Sequence, residues 1–225
     1  MKYEYLLFNL LVLAGPVGFS FENKVRFVSR WPSVFTAIAG ALIPFAVWDA
    51  LVAGRHWWFN DNFTMGFRVA GLPVEEILFF MSVPFACLFV WEVFFAHRDS
   101  AAVIHARVIG VFTIGSLIAG ALVFLLGYEY PGLVFLALAL VAGLDQLLRT
   151  GVLRQGRTYR YLGVLSVFIL LFNGYLTARP LVLYDTSFQL GIHVFTIPVE
   201  DFFYGFALIL LTLIYYEKLR RVCHA

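Results

Sequence analysis

Pro73-Val74-Glu75-Glu76 and Pro198-Val199-Glu200-Asp201 each set two adjacent carboxyls behind a proline, 125 residues apart, in sequence that is otherwise apolar. Asp49 follows Trp48 inside another apolar stretch, and Asn173 follows Phe172 at the matching place 124 residues later. Glu4 and Glu129 sit between tyrosines, in Tyr3-Glu4-Tyr5 and Tyr128-Glu129-Tyr130, again 125 apart. Carboxyls in apolar surroundings with few basic neighbours are costly unless some keep a proton or bond one another. A carboxyl that keeps its proton is a general acid, and an ionised neighbour is a general base. A single Pro-Val-Glu-Glu reads equally well as a helix start, with proline at the first position and acids in the first turn. Two copies, behind Val69-Ala70-Gly71-Leu72 and Phe195-Thr196-Ile197, favour chemistry. Asp49 lies a turn inside its apolar stretch, where an acid is a functional residue by default. Glu4 and Glu129 read equally as interfacial residues beside tyrosine anchors.

Helices in a membrane must hold these groups. Of 225 residues, 62% are hydrophobic and 13% charged, and mean hydropathy is +0.87. A soluble domain carries roughly 25% charge. Spanning the hydrocarbon core takes about 20 apolar residues, and seven stretches qualify, near 3–20, 33–53, 73–95, 108–126, 131–148, 160–178 and 198–216. The repeated landmarks, joined by Arg55 and Arg179 at an offset of 124, divide the chain into two copies. The expected fold is an all-α integral membrane protein. It forms a single domain over 1–225, with two parallel three-helix repeats near 1–97 and 127–225 joined by a connecting helix at 108–126. An odd connector gives both repeats one orientation. The first stretch resembles a signal peptide in opening with Lys2, but its later copy marks it as part of the repeat.

Lys and Arg set the direction of insertion. Lys24, Arg26, Arg30, Arg98, Arg107, Arg149, Arg154, Arg157, Arg160, Lys218, Arg220 and Arg221, twelve of the sixteen, follow the odd-numbered helices. Lys2, Arg55, Arg68 and Arg179 remain on the other side. The expected arrangement is multi-pass in the cell membrane, N-terminus outside and C-terminus cytoplasmic. All the repeated polar residues then fall in one layer near the outer face.

Other residues point to less. Glu92 and Asp145, at the opposite ends of their helices, read as partners of nearby arginines. His56, His97, His105, His193 and His224 show no ligand spacing, so no metal site is expected. Cys87 and Cys223 read as free thiols. The net charge of +2 gives no sign of a nucleic-acid partner. No dinucleotide fingerprint, P-loop or nucleophile triad is visible, and no cofactor is expected. Phe79-Phe80 and Phe203-Tyr204 follow the acidic pairs; a π face beside a desolvated cation contributes about 2 kcal/mol.

The paired Pro-x-Glu-Glu/Asp motifs with an upstream Trp-Asp resemble the integral-membrane lycopene cyclases over essentially the whole chain. In that family the two repeats occur as separate small subunits in some bacteria, or fused in one chain in archaea and fungi. Fungal members also carry a phytoene synthase, which this chain is too short to include. The resemblance implies closure of acyclic carotenoid ends, lycopene to γ- and β-carotene, without net redox change. Glu75, Glu76, Glu200 and Asp201 become the candidate acid–base set, with Asp49 orienting or receiving the proton. Trp48, Asn173, Phe79, Phe80, Phe203, Tyr204, Glu4 and Glu129 become candidate substrate-binding residues. Asn173 stands where the first repeat has Asp49, so the halves are not equivalent and one composite site is expected between them. The substrate is drawn from the bilayer; other carotenoid enzymes, or a second copy of the chain, are the protein partners to consider.

The motifs leave ring type open, and a fifty-carbon carotenoid remains an alternative substrate. A transporter with three helices, a connector and three more shares this repeat order. Its site would lie near the midplane, between broken helices, rather than in one interfacial layer. A seven-helix photoreceptor is disfavoured because Lys218 is the nearest lysine to the last helix's core.

Overall fold

A computed structural model describes residues 2–96 and 103–223, apart from the side chains of 222 and 223. His97, Arg98, His224 and the Cys223 side chain lie outside what is described. Among the described residues there are seven helices: α1 Glu4–Phe19, α2 Trp31–Val52, α3 Val74–Phe94, α4 Ala106–Leu125, α5 Glu129–Leu147, α6 Gly156–Ala178 and α7 Val199–Cys223. Six of them are long and apolar enough to cross a membrane. The shorter α1, with 16 residues, reaches about 24 Å against a hydrocarbon core of about 30 Å, a mismatch that bilayers absorb by local thinning. The chain is a multi-pass membrane protein.

The helices begin within four residues of the sequence boundaries, and the last runs further, to Cys223. A 3-10 turn, Phe27–Arg30, leads into α2, and α6 contains a π-helical segment, Ile169–Asn173. Such wide turns cluster at functional sites.

The third helices of the two repeats, α3 and α7, form the centre, with α1 packed on α3 and α5 on α7. α2 leans on both α3 and α7, whereas its counterpart α6 stands further from the centre. The connector α4 lies along α5. The close approach needs glycine: a Cβ on Gly132 would meet the backbone of Phe124 at 2.8 Å. The residue 125 places earlier, Leu7, faces outward on α1. One first helix is thus covered and the other bare.

Contacts come in pairs that the repeat exchanges. At the arginine-rich end, Trp91 Nε1 donates to Glu217 Oε1 at 2.9 Å and Tyr216 Oη donates to Glu92 Oε2 at 2.9 Å. Each joins one repeat to the other. Arg30 also pairs with Glu92 at 2.9 Å. Asp145 departs from its expected arginine pairing: it accepts from the Thr150 hydroxyl and from the N–H groups of Val152 and Leu153, tying down the turn after α5.

Short strands cap the opposite, acidic end. β1 Trp57–Phe59 pairs antiparallel with β4 Val182–Tyr184, and the central pair Trp58↔Leu183 consists of residues 125 apart. A pseudo-twofold axis therefore passes through this ribbon. Hairpins β2 Arg68–Val69 with β3 Leu72–Pro73, and β5 His193–Val194 with β6 Ile197–Pro198, lead into α3 and α7. In the first, Ala70 and Gly71 both have positive φ, 52° and 86°, the backbone of a two-residue type I′ turn.

Candidate active site

A cavity of about 480 Å³ lies between α1, α3, α6 and α7. Most of its wall is apolar. The carboxyls of Asp49, Glu76 and Asp201 enter it at the capped end, among Tyr5, Trp57, Tyr130, Tyr184 and Tyr204.

The acidic pairs divide by helical phase, since successive residues of a helix point about 100° apart. Glu76 and Asp201, the second of each pair, reach the cavity. Glu75 and Glu200, the first of each pair, turn back to the hairpins. Glu75 Oε1 accepts from the N–H of Met65 and Glu200 Oε1 from the N–H of Leu190, both at 2.6 Å. The two bonds are repeat images, latching each hairpin to its helix.

The Tyr5 hydroxyl donates to Glu76 Oε2, and the Tyr130 hydroxyl donates to Asp201 Oδ1 at 2.5 Å. Here the symmetry ends. Asp201 Oδ2 also accepts from Asn173 Nδ2 at 2.7 Å and from the Tyr184 hydroxyl at 2.6 Å. Burial holds the Tyr184 phenol well above its usual pKa, so it stays a donor. Asp49 replaces that amide in the first repeat. Its Oδ1 accepts from Trp57 Nε1 at 2.6 Å, while its buried Oδ2 takes no hydrogen bond from the protein. Asp49 and Glu76 line the same cavity. The first half thus holds two carboxyls with one donor each, and the second holds one carboxyl with three.

Glu4 and Glu129 lie at the rim and are paired across the repeats. Arg179 grips Glu4 with Nε and a terminal nitrogen at 2.8 and 3.1 Å, joined by the Tyr175 hydroxyl at 2.7 Å. Arg55 binds Glu129 at 2.5 Å and His56 Nε2 lies 3.0 Å from it. Burial keeps His56 below its ordinary pKa, only partly opposed by Glu129. An ionised carboxylate only accepts, so Nε2 is the donor in this contact.

Among the aromatic candidates, Phe79 and Tyr204 line the cavity. Tyr204 shares the cavity with Asp49, Glu76 and Asp201. Trp48 packs behind Tyr204, ring centroids 4.8 Å apart. Phe80 is buried in the core and Phe203 is on the outer surface against Phe206. Cys87 is a free, buried thiol in the cavity wall. Among the described residues no three His, Cys, Asp or Glu are placed to hold a metal ion. Sequence reasoning did not single out Tyr5, Tyr130, Trp57 or Tyr184. The recurrence of Tyr3-Glu4-Tyr5 held a signal for the first two; nothing local marked the others.

Fold and site together define a multi-pass membrane protein whose carboxyls gather at one end of an apolar, aromatic-lined chamber. The family model described as lycopene cyclase matches residues 2–94 and again residues 127–219. The chain belongs to the lycopene cyclase family, carotenoid cyclases that take an apolar substrate within the bilayer. Comparison with curated proteins and with solved structures gives no match.

Proposed function

We propose that the protein converts lycopene to γ- and β-carotene, with residues 1–225 acting as one membrane domain and one composite site. The observation that supports this is the convergence of Asp49, Glu76 and Asp201, from both repeats, on one end of an apolar cavity. A proton passes from a carboxylic acid to the terminal double bond of the acyclic end. The resulting carbocation closes a six-membered ring, and a carboxylate removes a ring proton to form the new double bond. Atoms and electrons balance, so no nicotinamide is consumed.

Hydrogen-bond capacity supports a division of roles. A carboxylate accepts at about four positions, and Asp201 has three filled by donors, which suits an acceptor held as the base. Asp49 and Glu76 have fewer donors than lone pairs, and a proton held between them fills that deficit. It is the proton to be delivered. The rings of Tyr204, Trp57 and Tyr130 surround the position of the cation, where a π face contributes about 2 kcal/mol when desolvated. Glu75 and Glu200 act through the hairpins. The acidic end faces outward in the cell membrane, supported by the split of basic residues; a reporter inserted near Asp185 should be outside and one after Ala225 cytoplasmic, and the reverse pattern would overturn the orientation.

Expression in a lycopene-accumulating host tests the activity. Lycopene should give way to cyclic carotenoids of the same mass. Unchanged lycopene, with the protein inserted in the membrane, would contradict the assignment.

A further inference from the structure

The cavity wall follows α1 from Tyr5 to Phe19 and α3 from Glu76 to Val90. Each run rises about 21 Å at 1.5 Å per residue. The chamber is therefore a long slot, with its acids at one end and apolar side chains along its length. Leu11, Gly15 and Phe19 line it and are at the same time exposed on the outside of α1, Leu11 by 73% and Phe19 by 60%. A wall that is both lining and surface is an opening.

The opening lies between α1 and α6. At the capped end these helices are clasped by Glu4 with Tyr175 and Arg179, and by Phe8 stacked on Tyr175 with centroids 6.1 Å apart. Beyond the clasp, Leu11, Gly15 and Pro16 of α1 face Phe168 and Ile169 of α6 across the slot. The repeat-related space is closed. Phe45, Trp48 and Tyr204 fill it, with centroids 4.8 to 5.8 Å apart, and α4 covers α5 where α1 is bare.

We propose that the acyclic carotenoid slides end-first from the lipid through this mouth between α1 and α6, with Gly15 as the residue that keeps it open. This rests on the cyclase reading above. A Cβ added at Gly15 would meet no atom within 4 Å, so a larger side chain can stand in the mouth without disturbing the packing. The residue 125 places later, Leu140, is a large side chain exposed on α5 and serves as the matched control.

The test is cyclisation per unit of membrane-inserted protein in lycopene-containing membranes, for Gly15→Phe, Leu11→Trp and Leu140→Phe. Gly15→Phe should lose on the order of 100-fold, the scale carried by a misplacement of about 1 Å at the reacting end. Leu11→Trp should lose activity in the same direction, and covers the case in which Gly15→Phe does not accumulate. Leu140→Phe should stay within about twofold, as expected for a surface substitution away from the site. Wild-type rates in both mouth variants, or an equal loss in Leu140→Phe, would overturn the mouth. Failure of the wild type to cyclise lycopene would instead overturn the reaction.

Discussion

The two halves of the site share a frame and differ in how they use it. Tyr5 with Glu76, and Tyr130 with Asp201, are the same contact made twice, and the hairpin latches through Glu75 and Glu200 are likewise duplicated. The partner from the second helix differs. In the second repeat the Asn173 amide donates to the neighbouring carboxylate; in the first, Asp49 sets another carboxyl beside Glu76. A duplicated scaffold supplies positions in pairs, and Asp49 in place of Asn173, with Phe59 in place of Tyr184, leaves the carboxyls of one half with fewer donors each than the carboxyl of the other. That separation is what an acid and a base require, since groups with opposite tasks need different surroundings.

The largest way to break the comparison is to make the halves alike. Asp49→Asn gives the first half the second half's amide and removes the carboxyl proposed to share a proton with Glu76. Cyclisation should fall on the order of 100- to 10,000-fold, with normal amounts of inserted protein; near-normal turnover would mean Asp49 has no part in proton transfer. Asn173→Asp makes the reciprocal change. It removes one charge-assisted donor from Asp201, a loss of about 1.5 to 3 kcal/mol, or roughly 10- to 100-fold, again read as pigment formed per protein. The smallest effect is expected at the rim. Glu4→Gln and Glu129→Gln weaken cross-repeat ion pairs whose arginines are solvent-exposed, where water screens the charge. Both should show milder losses than either change above, appearing mainly as slightly less protein in the membrane. Losses as large as those of Asp49→Asn would bring the rim into the chemistry.

The seven helices and the two repeats were legible because each span carries its own apolar length and because the landmarks recur at a fixed offset. That Asp49, Glu76 and Asp201 gather in one place was legible for the same reason. Which carboxyl of each pair meets the cavity was not, since Glu75 and Glu76 differ only by helical phase at a terminus where no apolar stripe sets the phase. Trp57 and Tyr184 come from strands of three residues, too short for any alternation to show. The crossed pairs Glu4–Arg179 and Glu129–Arg55 require the halves to face each other about an axis, which the repeat implies but no single segment displays. The one-sided cavity depends on α4 covering α5 through Gly120 and Gly132, and on the wide turn in α6. Packing decides both.

The division of labour within the acidic pairs is tested most directly by comparing Glu76→Gln and Asp201→Asn with Glu75→Gln and Glu200→Gln, as cyclisation rate per inserted protein. An amide keeps the oxygen that accepts from Met65 or Leu190, so the latch variants should remain within about tenfold of wild type, the cost of weakening one hydrogen bond. Glu76→Gln and Asp201→Asn should each lose on the order of 100- to 10,000-fold, the contribution of a general acid or base. Near-normal rates in those two, or a reversal in which Glu75→Gln and Glu200→Gln are the inactive pair, would contradict an acid–base site formed by the cavity-facing carboxyls.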